Sequence, residues 1–425
     1  MSLIEKDHKY IWHPLTQHQH EQPILPIKSA QGVYLEDVNG KKYIDGISSW
    51  YTAVYGHCHP KIVEAIQQQV QQLDQVVFAG FTHQPAVGLA EKLIAILPEG
   101  QSKVFFNDNG STATEIGIKM ALQYHFNLGN KRTTMLAFEN GFHGDTFGAM
   151  SVSGLSVYNG AFEQHFIDVK RIPVPTDENI DEIKQQIEHI HQETPIAGFI
   201  YEPLVQGAAA MQMHKAEHLD KILAFCKAKE MVLIADEVMT GFGKTGKNFA
   251  SDHMMTKPDV ICLSKALTAG MLPMGATTCS QQIFEAFYDQ DIAKGLFHGH
   301  TYTANPLACK VASAAIDLLL SDEIQQNIQA IIGWHQAFAK TIEHHKNVKS
   351  VRQTGIILAI DLATEFSRYG NFRNKIYHFF LDKGIYLRPL GNTIYILAPY
   401  VIKSSEMLDI YNVIEKFLNN YLEDI

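Results

Sequence analysis

Short apolar runs recur through the middle of the chain: Val104-Phe105-Phe106, Met135 to Phe138, Ile196 to Ile200, Met231 to Ile234, and Asp259 to Leu263. Runs of this length, bounded by turn residues, suit strands of a parallel sheet covered on both faces. Between them lie segments with apolar residues at helical spacing. These are Ala113, Ile116, Met120 and Tyr124; then Ile180, Ile183, Ile187 and Ile190; then Leu219, Ile222, Leu223 and Cys226. Such alternation predicts an α/β fold with a mostly parallel sheet and right-handed connections. Ligands of such sheets gather at the carboxyl ends of the strands. The polar residues that follow each run are therefore the candidates for chemistry.

Asp236 follows one run and Ser264-Lys265 follows the next. An acid and a lysine thus emerge at one sheet edge from separate strands. Pyridoxal phosphate (PLP) needs a lysine to carry it and a carboxylate to keep its pyridine nitrogen protonated. An isolated Asp and Lys also occur as a helix cap and a solvated surface residue, so the neighbours decide. The run at Val104 leads into Asn107-Asp108-Asn109-Gly110-Ser111-Thr112 and a helix, with Thr112 and Glu115 at capping-box spacing. Free N–H groups at such a helix start, with the helix dipole, suit a phosphate. Phe142, in the loop Asn140 to Thr146, can stack on a flat ring.

Gly241 to Lys247 matches the core of a nucleotide-binding P-loop, which makes a nucleotide hydrolase a competing reading. Asn248 stands where that motif needs Ser or Thr for magnesium, and the only nearby acidic strand end lies just before the loop. A chance match is the better account. A binding protein on a retained enzyme fold is a third reading, against which stand the intact Asp236 and Lys265.

The flanks differ from the middle. Asn39-Gly40 between two strand-like pieces signals a hairpin. Pro60 suits the first turn of a helix from Ile62 to Leu73. Residues 307–345 read as mostly helical, and strands around Ile385–Arg388 and Ile394–Leu397 flank a Gly391-Asn392 turn. The expected division is a large α/β domain, residues 61–310, and a smaller α+β domain from residues 1–60 and 311–425.

A formal charge of -10 argues against nucleic acid as a partner. Five scattered cysteines without a C-x-x-C pair suggest reduced thiols. The polar stretch Met1–His13 lacks the core of a signal peptide, and no run is long enough to span a bilayer. A cytoplasmic protein with no membrane association is expected. The pairs His18/His20, His57/His59 and His298/His300 show no acidic or cysteine partners at ligand spacing, so no metal site is expected.

Taken together, Asn109-Gly110-Ser111, Phe142-His143-Gly144, Glu202-Pro203, the Asp236-to-Lys265 block and Thr301 resemble the fold-type I PLP-dependent aminotransferases of class III, which handle ω-amino groups. Further pieces are Ile11-Trp12-His13-Pro14, Ser48-Ser49-Trp50, His143 to Met150, Asn305 to Cys309 and Leu387-Arg388-Pro389. They are most similar to the family that aminates 8-amino-7-oxononanoate in biotin synthesis.

The resemblance implies a seven-stranded, mostly parallel sheet and PLP as cofactor. It implies that Lys265 carries the cofactor and moves the substrate proton, and that Asp236 pairs with the pyridine nitrogen. Gly110 and Ser111 hold the phosphate, and Phe142, His143 and Glu202 lie around the ring. His300 and Thr301 reach the neighbouring subunit's phosphate, so the unit is a homodimer with shared active sites. Leu15, Trp50, Tyr51, Phe142 and Gly299 line the substrate channel, and Arg388 takes a substrate carboxylate. Better-known members carry Tyr at the positions of Leu15 and Phe142, Trp at Tyr51 and Arg at Lys244. These departures spare the ring chemistry and bear on the amino donor: S-adenosylmethionine in most of the family, lysine in some members. Other ω-amino substrates (ornithine, γ-aminobutyrate, a diamine) are the nearest alternatives. The Gly-rich loop with Lys244 is expected to wall the substrate side.

Overall fold

After an N-terminal helix, Leu3–Tyr10, come three antiparallel strands: β1 (Ile27–Gln31), β2 (Tyr34–Asp37) and β3 (Lys42–Asp45), with the Asn39-Gly40 turn joining the last two. Gly40 sits at φ +85°, a conformation that only glycine adopts without strain. The computed structural model describes residues 1–19, 24–156, 159–364 and 372–421. His20 lies outside them.

The central sheet is built from β4 (Gln101–Asn107), β5 (Thr134–Phe138), β6 (Val169–Ile172) and β7 (Ile196–Tyr201). A short ribbon, β8 (Val205–Gln206) and β9 (Gln212–Met213), follows. The sheet is completed by β10 (Val232–Asp236), β11 (Val260–Leu263) and β12 (Gly275–Ser280). Its order is β4-β12-β11-β10-β7-β5-β6, seven strands in all. β6, β5, β7, β10 and β11 run parallel, while β12 is antiparallel to both its neighbours. Every residue of β5, β7, β10 and β11 is buried, as expected for strands covered on both faces.

The helices fall where the apolar spacing puts them. Ile180–Glu193 buries Ile180, Ile183 and Ile187, and Ala216–Ala228 buries Leu219, Ile222, Leu223 and Cys226. The helix begun by Pro60 stops at Val70, short of Leu73. The Gln69 side chain reaches forward past the helix end and donates to the Leu73 carbonyl at 3.0 Å.

The C-terminal part holds β13 (Val348–Thr354) and β14 (Ile357–Leu362), then β15 (Ile385–Tyr386) and β16 (Thr393–Ile396). The two strands around Gly391-Asn392 do not pair along their length. β15 runs parallel to β3, and β16 pairs with β14. Main-chain bonds from Gly46 to Tyr386 and from Leu397 to Gly46 stitch the N-terminal segment between them. Gly46 suits this close approach: a Cβ would lie 2.6 Å from Leu387 Cδ2, so the Leu387 side chain would have to shift. The chain between β15 and β16 crosses from one sheet to another and carries Arg388 on the way.

Candidate active site

Asp236 ends β10, in register with Cys262 on the parallel strand β11. Lys265 follows β11 and starts a single 3-10 turn at φ +52°. That left-handed conformation costs a side-chain-bearing residue roughly 1–2 kcal/mol. The Ser264 hydroxyl, donating to the Met274 carbonyl at 2.7 Å, ties down the preceding residue. The acid and the lysine therefore leave the sheet side by side. Burial lowers the Lys265 pKa from its ordinary value, against the opposing pull of Asp236 and Glu202.

Asp236 is itself buried. One carboxylate oxygen accepts from the Val238 N–H at 3.0 Å, and the other lies 2.7 Å from His143 Nδ1. The His143 N–H is held by Ser153 Oγ at 2.9 Å. The ring is buried, and its Nε2 meets no partner among the described residues. Glu202 accepts from the N–H groups of Phe142 and Gly207, each at 3.0 Å, and so clamps the loop on which Phe142 stands. Burial pushes the Glu202 carboxyl up to about 7, with the His143 charge and the two N–H groups opposing. The Phe142 ring stays 42% exposed, an aromatic face left open beside the Asp236–His143 pair.

The helix Gly110–Asn127 begins three residues earlier than a cap at Thr112 would place it. Asn109 is its cap: the Asn109 side chain accepts from the Thr112 N–H at 2.9 Å, and the Thr112 hydroxyl accepts from the Asn109 N–H at 3.2 Å. Glu115 takes no part in a capping box. It instead accepts from the N–H groups of Gly148 and Ala149 at 2.7 and 3.3 Å, capping the next helix, Phe147–Val152. Gly110 and Ser111 thereby occupy the first helical turn, where N–H groups have no intrahelical acceptor. The cradle is tight. A Cβ on Gly110 would stand 2.8 Å from Val238 Cγ1, and one on Gly144 (φ +129°) would stand 2.1 Å from Ser111 Oγ. Ser111 Oγ accepts from the Asp145 N–H at 3.1 Å, which joins this turn to the Phe142 loop.

Next to Lys265 lies Ser48–Tyr51, a run of left-handed residues with φ of 49°, 45°, 60° and 71°. It turns Tyr51 inward, to 7% exposure, and leaves Trp50 39% exposed. Lys265 Nζ sits 5.1 Å from the centroid of the Tyr51 ring. The Tyr51 hydroxyl donates to that of Tyr395 at 3.1 Å. Arg388 lies over Trp50, its guanidinium carbon 4.6 Å from the ring centroid, and meets no carboxylate among the described residues.

Other expected residues stand apart. Leu15, Gly299 and Thr301 are exposed, and His300 is half-buried with its Nε2 3.9 Å from Asp108. Within the described residues none of them bonds to the Lys265 cluster. Lys244 is no open wall residue. It is fully buried, donating to the Gly241 carbonyl at 2.8 Å beneath the Gly-rich loop. Burial, helped by the charge of Lys265, lowers its pKa to about 7. One member of these histidine pairs does meet an acid from outside its own motif: His57 Nε2 lies 2.8 Å from the buried Asp45. Sequence inspection misses that contact, and also the Tyr51–Tyr395 pair. Nothing in the spacing of these residues along the chain announces either contact.

The residues present fit PLP. A tight glycine cradle at a helix start suits a phosphate, an open phenyl face suits the ring, and a buried acid held by a histidine suits the ring nitrogen. The family model for aminotransferase class-III matches residues 15–418. The chain is 41% identical over 421 residues to the adenosylmethionine-8-amino-7-oxononanoate aminotransferase of Synechococcus elongatus, covering 97% of this chain and 99% of the relative. A crystal structure of the enzyme of that name from Methanocaldococcus jannaschii aligns with a TM-score of 0.92 at 34% identity, covering 97% of this chain and 99% of the other. A PLP-bound amine transaminase from an uncultivated Pseudomonas species aligns with a TM-score of 0.89 at 28% identity, covering 96% and 97%.

Proposed function

The chain belongs to the class-III aminotransferases, which are PLP-dependent enzymes of fold-type I, and on that footing we propose that it aminates 8-amino-7-oxononanoate to 7,8-diaminononanoate, with S-adenosylmethionine as the amino donor. The relatives named above support the reading by their names. The observation that carries it is the Arg388–Trp50 pair. A long keto acid needs an apolar, aromatic corridor with one charged anchor. Arg388 offers a guanidinium without a carboxylate partner among the described residues, stacked on a half-exposed indole, and the neighbouring Tyr51 ring leads from there to Lys265.

When bound, PLP supplies the electron sink that lets an amino group pass from donor to keto acceptor. The Gly110 and Ser111 N–H groups would hold its phosphate. Asp236, kept in place by His143 and Val238, would hold the proton on its ring nitrogen. Phe142, clamped by Glu202, would cover one ring face. Lys265, its pKa lowered by burial, takes the substrate Cα proton and returns it in the reverse sense. Trp50 and Arg388 orient the keto acid by its far carboxylate. The donor and the acceptor use the site in turn, in ping-pong order.

The same reading makes the protein a homodimer with shared sites. Large apolar side chains stay exposed on the single chain, among them Trp12, Phe81, Phe297 and Tyr302, and a second copy would cover them. Thr301 and His300 would then reach the partner's phosphate, and Gly299 and Leu15 would close the substrate channel. The division into residues 61–310 and residues 1–60 with 311–425 belongs to this reading too, supported by the β3–β15 pairing. So does a cytoplasmic location, to which the free cysteines are suited. Among the described residues no helix is long and apolar enough to cross a membrane.

The test is a half-reaction. PLP-loaded protein is mixed separately with S-adenosylmethionine, lysine and ornithine, and the visible cofactor band is followed. Bleaching by S-adenosylmethionine is expected. Bleaching by lysine alone reassigns the donor, and bleaching by ornithine alone overturns the biotin assignment.

A further inference from the structure

Asp45 is completely buried at the end of β3 and has no lysine or arginine partner among the described residues. Its Oδ2 accepts from the Ser49 hydroxyl at 2.8 Å and lies 2.8 Å from His57 Nε2, while its Oδ1 accepts from the Ile47 N–H at 3.2 Å. These contacts converge on the start of the left-handed run that carries Trp50 and Tyr51. A buried carboxylate is costly unless hydrogen-bonded throughout. A run of left-handed residues with side chains persists only where its surroundings over-determine it. Here each requirement meets the other.

The anchor is stiff on both sides. His57 is fixed through its backbone, with reciprocal N–H···O bonds to Gly32 at 2.9 and 2.7 Å. Asp45 pairs in register with Tyr386 on β15, and Arg388 lies just beyond that strand. The strand edge that supplies the guanidinium is thus the one whose neighbour fixes the indole. The Ser48 hydroxyl, donating to the Leu397 carbonyl at 2.7 Å, secures the run from the other flank.

We propose that the Asp45–Ser49–His57 cluster is a positioning device. It holds the Ser48–Tyr51 turn in its left-handed form, and so sets Trp50 against Arg388 and Tyr51 against Lys265. Asp45 and His57 are positioning residues that touch no substrate themselves. The proposal rests on the reading of Trp50 and Arg388 as the substrate anchor, and its test is built to separate the two.

Trp50 is made the sole tryptophan by Trp12→Phe and Trp334→Phe, and its emission and acrylamide quenching are measured without cofactor or substrate. In this background Asp45→Asn, Ser49→Ala and His57→Ala should shift the emission and raise the quenching constant at least twofold. His57→Gln, which keeps an N–H donor near the place of Nε2, should restore most of the parent signal. With PLP and the keto acid, the same variants should raise the KM for the acceptor about tenfold, change kcat less, and keep the cofactor band. If Asp45→Asn does not fold, Ser49→Ala and His57→Ala carry the test. Unchanged Trp50 emission in both overturns the positioning role, whatever the substrate proves to be. Altered emission with an unchanged acceptor KM upholds the clamp and refutes Trp50 as substrate anchor.

Discussion

Lys244→Met is the substitution whose outcome can be worked furthest from the structure. Lys244 is fully buried, its amine donating to the Gly241 carbonyl, with a pKa lowered to about 7. In the unfolded chain it titrates near the ordinary lysine value of about 10.4. Between those values the unfolded state binds the proton and the native state does not, so this group makes stability rise with pH. Below pH 7 the lysine is charged in both states. Its burial there costs about 4–5 kcal/mol, because each tenfold loss of proton affinity is worth about 1.4 kcal/mol. Methionine has a similar volume and no charge. It removes that cost and forfeits one hydrogen bond, worth about 1 kcal/mol. The variant should therefore be more stable than the parent by about 3–4 kcal/mol at pH 6–7. The gain should shrink by up to about 1.4 kcal/mol per pH unit above pH 7 and vanish toward pH 10. For a chain of this length 1 kcal/mol corresponds to about 1 °C in Tm. Scanning fluorimetry of the cofactor-free protein from pH 6 to 9.5 would show the difference falling from about 3–4 °C toward zero. A pH-independent difference, or a loss of stability at pH 6, would refute the claim that the burial of Lys244 outweighs the opposing charge of Glu237.

Lys265→Ala should abolish turnover and the visible cofactor band while leaving the melting temperature of the cofactor-free protein at or above that of the parent, since a desolvated lysine is removed. Gly144→Ala puts a Cβ 2.1 Å from Ser111 Oγ and 2.7 Å from its Cα, so the phosphate turn must move. The Kd for PLP, titrated by absorbance, should rise at least tenfold. Asn109→Ala removes the helix cap and should lower stability by about 1 kcal/mol, read from the melting temperature, with a weaker hold on PLP. Thr112→Ala, the reciprocal partner, should act in the same direction.

The parallel sheet can be read from the chain because strands buried on both faces are apolar throughout, and those of β5, β7, β10 and β11 are. β12 escapes such a reading. Its Gly-Ala-Thr-Thr-Cys-Ser composition is not a hydrophobic run, and it is buried because Thr277 and Thr278 spend their hydroxyls on Ala113 and Gln101. Asp236 and Lys265 are legible because one ends β10 and the other follows close on the end of β11, and strand ends are local. The capping of the phosphate helix is not. Asn109 and Thr112 both qualify as caps, and only the packing shows that Glu115 is drawn away by Gly148. Arg388 and Trp50 can be named from family likeness, but their stacking depends on a β3–β15 pairing between residues more than three hundred positions apart. Lys244 looks like a loop residue because a Gly-rich stretch usually lies outside. Here the loop folds over its own lysine, a tertiary outcome with no local signature.

The central claim is that this site moves an amino group onto 8-amino-7-oxononanoate. It is tested most directly with S-adenosylmethionine labelled with nitrogen-15 at its amino group. Holoprotein, labelled donor and keto acid are incubated together, and the product is weighed by mass spectrometry. The expected product is 7,8-diaminononanoate carrying one nitrogen-15 atom, formed by the parent and not by Lys265→Ala. Protein that transfers the label to another keto acid but never to 8-amino-7-oxononanoate would contradict the claim.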